Sequence, residues 1–359
     1  MKRFFVQLFK VAIFSSVGVT SALFTLLVGI IVVTLIATGF SAGEDSAAVS
    51  VSDREYVVGK ERSTQELLVI PISGVIMGEA EPVEDWLAGI STGVTYGYQV
   101  KEELAKAAEE PNIKGILLQI NSPGGTIYGS NAILDGVTEY KQKTGKPVVA
   151  YVNGLAASGA YWSAIGADKI VADTGTTIGS IGVIFGPFKY YDSVVSEDGG
   201  LLAGGVVTQK GIQTTYITAG KSKDLGNPYR QLTQEELGTL QNMVNQAYDQ
   251  FVAKVSQYRQ IEPQIIKTQI GALVYSEEQA KEIKLIDEIG SKQFAYQLLA
   301  EQAGVGDNYK ITRLKQEPTF WGSLLSAISS VSTRRAQTSI CQLHSMILAY
   351  DGDLTSLCQ

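Results

Sequence analysis

Residues 147–162 read Pro-Val-Val-Ala-Tyr-Val-Asn-Gly-Leu-Ala-Ala-Ser-Gly-Ala-Tyr-Trp. The first six residues form an apolar, β-branched run as long as a buried strand, and residues 161–167 are typical of a packed helix. Ser158 therefore lies where a strand turns into a helix. At such a turn a hydroxyl can project into a cleft while the helix N-terminus supplies free backbone N–H groups, which suits a nucleophile and its oxyanion. The alternative is that Ser158 is an ordinary N-cap residue.

A second stretch, residues 116–125, favours the nucleophile. It reads Ile-Leu-Leu-Gln-Ile-Asn-Ser-Pro-Gly-Gly, which predicts a buried strand that ends in a glycine turn. Paired glycines allow the backbone to approach a ligand closely and to turn its N–H groups towards a developing oxyanion. The order strand-Asn-Ser-Pro-Gly-Gly-helix, then strand-Ala-Ser-Gly-helix, resembles the Clp protease/crotonase superfamily. In that superfamily the two loops face one another across the active site.

A serine nucleophile needs a general base, and the sequence limits the residues that can supply it. His344 is the single histidine and lies far from Ser158 in the sequence, so a Ser-His-Asp triad is not expected. A lysine can replace histidine when burial lowers its pKa towards neutral pH. The lysines that follow Ser158 closely enough are Lys169, Lys189, Lys210, Lys221 and Lys223.

Lys223 is the preferred candidate. It follows residues 216–220, which predict a strand with a glycine stop, and it precedes Asp224. This segment resembles the lysine-aspartate motif of the signal peptide peptidase A family, in which the lysine is the general base. Residues 197–205 look like an insertion between the serine and lysine motifs.

The resemblance to that family runs from about residue 66 to about residue 300. Residues 67–76 match the family's opening strand, residues 176–183 its glycine-serine-glycine strand, and residues 274–290 its closing helix and turn. The fold that the resemblance implies is an α/β, Clp protease/crotonase-like domain of repeated ββα units arranged as a spiral. The sequence also predicts a helix over residues 98–110 and another that begins with a capping box at residues 233–236.

The resemblance further implies a Ser-Lys dyad, in which Lys223 takes the proton from Ser158. The oxyanion would be held by the backbone N–H groups of Gly125 and Gly159. Ser180, in the glycine-serine-glycine strand, is expected to orient the lysine ammonium, although a purely structural strand serine is the alternative. Asp224 is expected to point away, since a buried carboxylate beside a lysine base would raise its pKa and spoil it as a base.

Composition excludes other classes. The chain has 359 residues, 45% of them hydrophobic, and a net charge of −7, so nothing indicates nucleic-acid binding. Cys341 and Cys358 are the two cysteines, which rules out a disulfide scaffold. Cys341 and His344 could supply half a metal site, but no second cluster completes it. No metal and no cofactor are expected.

The N-terminus predicts a membrane anchor. Lys2, Arg3 and Lys10 precede an uncharged run from residue 11 to residue 43, which is long enough to span a bilayer. A cleaved signal peptide is the alternative, but the run exceeds the usual apolar region of one. The basic tip is expected in the cytoplasm and the catalytic domain on the extracytoplasmic side.

Four regions follow from these patterns. They are the tip and transmembrane anchor at residues 1–43, a linker at 44–64, the peptidase domain at 65–317 and a C-terminal tail at 318–359. Residues 78–95 are expected to form either an irregular connection or a mobile lip near substrate, and residues 320–331 a short amphipathic helix.

The function expected from these observations is that of a membrane-anchored serine endopeptidase that degrades remnant signal peptides and other apolar, unstructured peptides. A single-copy chain of this family implies a homo-oligomeric ring or dome tethered to membrane lipid. Two alternatives remain open: a crotonase-type enzyme acting on acyl thioesters, and a catalytically silent membrane scaffold.

Overall fold

The computed structural model describes residues 54–79, 93–190, 196–197, 206–207, 217–314 and 347–349. Several predicted segments lie outside these residues. They are the anchor at residues 1–43, most of the lip at 78–95, the insertion at 197–205 except for Glu197, and the tail helix at 320–331. Among the helices that the structure does describe, none is both long and apolar enough to cross a membrane.

The chain alternates between strands and helices. The strands are β1 (Arg54–Gly59), β2 (Glu66–Met77), β3 (Val94–Tyr96), β4 (Ile113–Thr126), β5 (Val148–Ala157), β6 (Lys169–Ala172), β7 (Thr177–Gly179), β8 (Ser196–Glu197), β9 (Val206–Val207), β10 (Val274–Ser276), β11 (Glu288–Ile289), β12 (Lys310–Leu314) and β13 (Ile347–Ala349). The helices are α1 (Gly97–Glu109), α2 (Ile127–Thr144), α3 (Gly159–Ala164), α4 (Gln234–Arg259), α5 (Pro263–Ile265, continued by a π-helical turn, Ile266–Ile270), α6 (Glu277–Glu282) and α7 (Lys292–Gln302).

A largely parallel sheet forms the centre of the molecule, in the order β1-β12-β2-β4-β5-β6-β11. Its middle strands are apolar on both faces, as expected for parallel strands covered by helices. Alternate residues of β2 enter two different cores: Leu68 and Ile70 join the larger one, and Leu67 and Val69 the smaller. The larger core contains residues of α1 to α4, and the smaller one contains residues of α7. The expected mixed α/β fold is confirmed.

Two central strands fork at their C-terminal ends. The end of β2 pairs with β3 as well as with β4, and the end of β5 pairs with β7, which in turn pairs with β10. A further short strand, β13, runs antiparallel to the end of β4. These extra pairings build out the sheet at the edge where Ser158 lies.

The prediction of a glycine turn at residues 121–125 is wrong. Strand β4 continues through these residues to Thr126, and its register against β2 shifts between Asn121 and Gly124, which lie opposite Ser73 and Val75. Gly124 has φ 99°, a conformation open to glycine, and the Ser122 hydroxyl accepts the Gly124 N–H at 3.0 Å. The Pro-Gly-Gly sequence therefore makes a bulge in a continuing strand.

The predicted linker at 44–64 is also too long, because β1 begins at Arg54 and pairs antiparallel with β12. Arg54 forms ion pairs with Glu66 at 2.9 Å and with Glu110 at 2.7 Å. The Tyr-Val-Val run of β1 is too short and too closely flanked by charges to signal a strand in the sequence.

Helix α4 confirms the predicted capping box: the Thr233 side chain accepts the Glu236 N–H, and the Glu236 carboxylate accepts the Thr233 N–H. The predicted apolar stripe is divided. Its C-terminal half is buried, with Phe251 against Trp162 of α3 at a centroid distance of 4.8 Å. Its N-terminal half is more open, and Met243 is 40% exposed.

Candidate active site

Ser158 follows the last residue of β5 and directly precedes α3. Its backbone has φ 55° and ψ −118°, a sparsely populated conformation for a non-glycine residue, and its side chain is 1% exposed. The backbone holds it from both sides, since the Ser158 N–H donates to the Gly179 carbonyl at 2.8 Å and its own carbonyl accepts the Trp162 N–H at 2.9 Å. The hydroxyl makes no capping bond to α3. A strained serine at a strand-to-helix turn is the geometry of a nucleophile elbow.

Ser180 lies at the end of the neighbouring strand. Strands β5 and β7 are parallel with Ala157 opposite Gly179, so Ser158 and Ser180 follow at the same level. Ser180 is buried and also has a positive φ, 53°, and its N–H donates to the Leu273 carbonyl at 2.7 Å. The structure thus brings the two predicted serines together at one edge of the sheet.

The two predicted oxyanion glycines are at this edge as well. The last pair between β4 and β5 is Ser122 opposite Ala156, and Gly125 and Gly159 each follow this pair by three positions. A side chain at Gly125 has no room, because a Cβ atom there would lie 1.9 Å from the Ile76 carbonyl oxygen. Gly159 is the first, buried residue of α3.

Asn121 is a residue of this edge that sequence reasoning did not single out. Its side-chain oxygen accepts the Leu155 N–H at 3.1 Å and lies 2.4 Å from where a Cβ of Gly154 would be. The side chain therefore fastens the bulge of β4 to β5. The only signal in the sequence was the pair of polar turn residues, Asn-Ser, which are equally common in ordinary loops.

The surroundings of Lys223 differ from the buried environment that a lysine needs to act as a base. Residues 217–219 form no strand, contrary to the prediction, and residues 220–226 form consecutive turns. The Lys223 side chain is exposed. Within the described part of the chain, no hydrogen bond joins its ammonium to Ser158 or to Ser180. The strand prediction failed because the β-branched pair Ile217 and Thr218 has no partner strand there, and Ile217 is 99% exposed.

The neighbours of Lys223 are held tightly. Both oxygens of Asp224 accept hydrogen bonds from Arg230, at 2.8 Å each, and the same guanidinium donates to both oxygens of Glu236, at 2.8 and 2.9 Å. The Arg230 hydrogen bonds lower the pKa of Asp224 to about 2. Arg230, the Thr233 N–H and the Ser222 hydroxyl together hold the pKa of Glu236 well below its usual range.

The other candidate lysines differ in their contacts. Lys169 forms an ion pair with Asp287 at 3.6 Å, Lys221 pairs with Glu235, and Lys189 is exposed. Lys210, like the residues His344, Cys341 and Cys358, lies outside the described residues. Within the ranges that the structure describes, no group of three or more His, Cys, Asp or Glu side chains is placed to hold a metal ion.

Strand β13 runs along the same edge. It pairs antiparallel with β4, with Ile347 opposite Thr126, Leu348 opposite Gly125 and Ala349 opposite Gly124. A short extended segment of the chain's own C-terminal region thus lies beside a predicted oxyanion donor.

Two family models match the chain. Residues 140–306 match the model of peptidase family S49, and residues 92–172 match the model of the Clp protease family. The S49 match contains Ser158, Ser180 and Lys223, and the Clp match contains Gly125 of β4 and Gly159 of α3.

Three relatives are similar to the chain over about 200 residues or more. A protein from Methanocaldococcus jannaschii, named as a protease, is 38% identical over 199 residues, which are 55% of this chain and 59% of the relative. One from Enterococcus faecium, named as a signal peptide peptidase, is 30% identical over 68% of this chain and 66% of the relative. One from Synechocystis, named as a protease, is 30% identical over 56% of this chain and 67% of the relative.

The chain spans less than two thirds of the length of the first two of these relatives. The two family models together cover the edge of the sheet that carries both serines and the glycine bulge. The chain belongs to peptidase family S49, the signal peptide peptidase A family, within the Clp protease/crotonase superfamily.

Proposed function

We propose that the protein is a serine endopeptidase that uses Ser158 as nucleophile and Lys223 as general base to cleave apolar, unstructured peptides. The observation that carries the proposal is the strained backbone of Ser158, held at a strand-to-helix turn next to the strand that ends before Ser180, at the sheet edge that also carries Gly125. Strain of this kind costs on the order of 1–3 kcal/mol and persists where the surrounding structure over-determines it, commonly at active sites.

In the proposed reaction, neutral Lys223 takes the proton from the Ser158 hydroxyl as its oxygen attacks the carbonyl carbon of a peptide bond. The carbonyl oxygen becomes an oxyanion that accepts hydrogen bonds from the N–H groups of Gly125 and Gly159. The C–N bond then breaks, and the lysine returns the proton to the leaving amine. Water hydrolyses the acyl-enzyme by the same steps. Ser180 would orient the lysine through its hydroxyl.

Because Lys223 is exposed, the proposed site needs a further element that buries its side chain. A lysine serves as a base near neutral pH only when desolvation favours its neutral form. We propose that a second copy of the chain covers the segment around Lys223, in a homo-oligomer, and so removes it from water. The partly exposed N-terminal half of α4, which follows this segment, offers an apolar surface for such a contact. A rate per chain that falls on dilution is the expected sign of this assembly.

The pairing of β13 with β4 supports peptides as the substrate class. An extended peptide can add to an exposed strand through main-chain hydrogen bonds, and β13 is an extended segment in that position. Attachment to membrane lipid through residues 1–43, with the catalytic domain on the extracytoplasmic side, is part of the proposal. Cleaved signal peptides would then be encountered at high local concentration.

The test compares two serines that each precede a helix. Ser158→Ala is expected to abolish peptide hydrolysis and labelling by a fluorophosphonate, with little change in melting temperature, because its hydroxyl makes no capping bond. Ser276→Ala removes a hydroxyl that does cap α6 and is expected to cost about 0.5–2 kcal/mol of stability while activity persists.

Near-normal turnover by Ser158→Ala would refute the nucleophile. Lys223→Ala and Lys223→Arg are expected to be inactive as well, since arginine stays charged near neutral pH, and His344→Ala is expected to be active. Labelling of Ser158 also separates a peptidase from the silent scaffold and from a crotonase-type enzyme, which has no serine nucleophile.

A further inference from the structure

Residues on both sides of Lys223 are tied to the first turn of α4. Lys221 forms an ion pair with Glu235, and the Arg230 guanidinium donates hydrogen bonds to both Asp224 and Glu236. Glu236 is 6% exposed and is itself fixed as a member of the capping box of α4. Lys223 therefore lies between two contacts to the first turn of this helix, one of which leads to the buried carboxylate of Glu236.

Little else holds this segment. Its backbone bonds are single-turn contacts, from the Lys223 N–H to the Gly220 carbonyl at 3.3 Å and from the Leu225 N–H to the Ser222 carbonyl at 3.0 Å. Ser222 also has a positive φ, 59°, which is unfavourable for a serine unless its surroundings impose it. Because the Lys221–Glu235 pair is exposed, the Arg230 guanidinium, with two hydrogen bonds to Asp224 and two to Glu236, is the stronger of the two side-chain restraints on this turn.

We infer that Arg230 is a positioning residue for the reaction, which fixes the turn carrying Lys223 on the N-terminus of α4 and keeps the Asp224 carboxylate engaged. The inference rests on the proposed function, because it concerns the base named there. Arginine suits this task better than lysine, since its planar fork can bind two carboxylates at once, with paired N–H donors.

Arg230 also changes the electrostatic environment of Lys223. Arg230 offsets one of the two negative charges that lie beside the turn, and it occupies the oxygens of the carboxylate adjacent to Lys223. A free carboxylate close to a lysine favours the charged ammonium over the neutral amine. Without Arg230, the base would be both displaced and harder to deprotonate.

The experiment measures hydrogen exchange and kinetics on the full chain. In Arg230→Gln we expect amides of residues 220–226 to exchange faster, kcat to fall by on the order of 10²-fold, and the acidic limb of the pH–kcat profile to move to higher pH. Arg230→Lys keeps the charge but loses the fork, so it should recover the pH profile more than kcat. The double variant Arg230→Gln/Asp224→Asn should return the pH limb towards that of the wild type while kcat stays low.

Arg54→Gln is the matched control, because Arg54 also lies between two carboxylates, Glu66 and Glu110, but in β1. It should lower the melting temperature without changing exchange at 220–226 or the pH profile. Equal effects of the two arginine variants on kcat, or unchanged exchange in Arg230→Gln beside an inactive Lys223→Ala, would overturn this inference alone. Full activity in Lys223→Ala would instead remove the proposed base, and the role of Arg230 with it.

Discussion

At the scale of single residues, the site depends on backbone conformations that cannot be predicted from side-chain chemistry. Ser158 and Ser180 are both non-glycine residues with positive φ, and they end adjacent strands. Ser158 was predicted from the turn between an apolar run and a helix, whereas Ser180 and the oxyanion roles of Gly125 and Gly159 came with the resemblance to the family. The sequence did not predict the strain, since the neighbouring strands impose it.

Gly125→Ala tests the tight fit between β2 and β4. A Cβ atom at this position would meet the backbone of Ile76, which cannot move without shifting the strand. We therefore expect loss of activity together with a lower melting temperature. Gly238→Ala in α4 is the control: nothing lies within 4 Å of its Cβ position, and alanine there should stabilise the helix by about 1 kcal/mol. A stable, active Gly125→Ala enzyme would contradict the packing described here.

Asp224→Asn is expected to have an effect that depends on pH. The pKa of Asp224 is lowered from 3.8 to about 2 by Arg230, so the contribution of this carboxylate to stability is present above its unfolded pKa and is lost as pH falls through the folded one. The difference in melting temperature between the wild type and Asp224→Asn should therefore be largest above pH 5 and should shrink as the pH falls from about 4 to about 2. A constant difference over that interval would mean that the ion pair adds nothing to stability.

At the scale of elements, prediction from the sequence worked where the pattern was local. Helix α1 and the capping box of α4 were predicted because the apolar period or the cap is visible in consecutive residues, and strand β2 was predicted from its match to the family's opening strand. The predictions that failed concern pairing between distant segments. Residues 121–125 remain a strand because β2 and β13 flank them, whereas residues 217–219 pair with no strand in the described part of the chain.

The two halves of α4 should respond differently to truncation. Phe251→Ala removes a fully buried ring packed against Trp162, one turn from Ser158, and is expected to cost about 3–5 kcal/mol and to weaken catalysis. Met243→Ala, on the exposed half of the same helix, should stay within about 0.5 kcal/mol of the wild type in the isolated chain. Denaturant unfolding measures both, and similar costs for the two would show that the helix is not divided in this way.

At the scale of the whole molecule, the family explains the central sheet and the position of the serine, while the substrate remains a proposal. A shielded site that binds extended backbone should accept a peptide and exclude a folded protein. The net charge of −7 disfavours acidic ligands in addition.

The substrate proposal leads to a direct comparison. The purified protein would be incubated with a synthetic signal peptide, an acidic peptide of equal length and a folded globular protein, and the products would be identified by mass spectrometry. We expect the apolar peptide to be cut fastest, since apolar side chains gain most from leaving water. Faster cleavage of the acidic peptide or of the folded protein would overturn the substrate assignment and leave the Ser-Lys chemistry standing.

The antiparallel pairing of β13 with residues 124–126 gives the protein a built-in competitor. A segment that is covalently attached meets its binding site at an effective concentration that reaches the order of millimolar when the tether can span the two sites. If substrate binds along β4 as proposed, a peptide arriving from solution must displace that segment before its own backbone can pair with the strand. Two strands would then compete for the same edge, and weakly binding sequences would be rejected before any bond is cut.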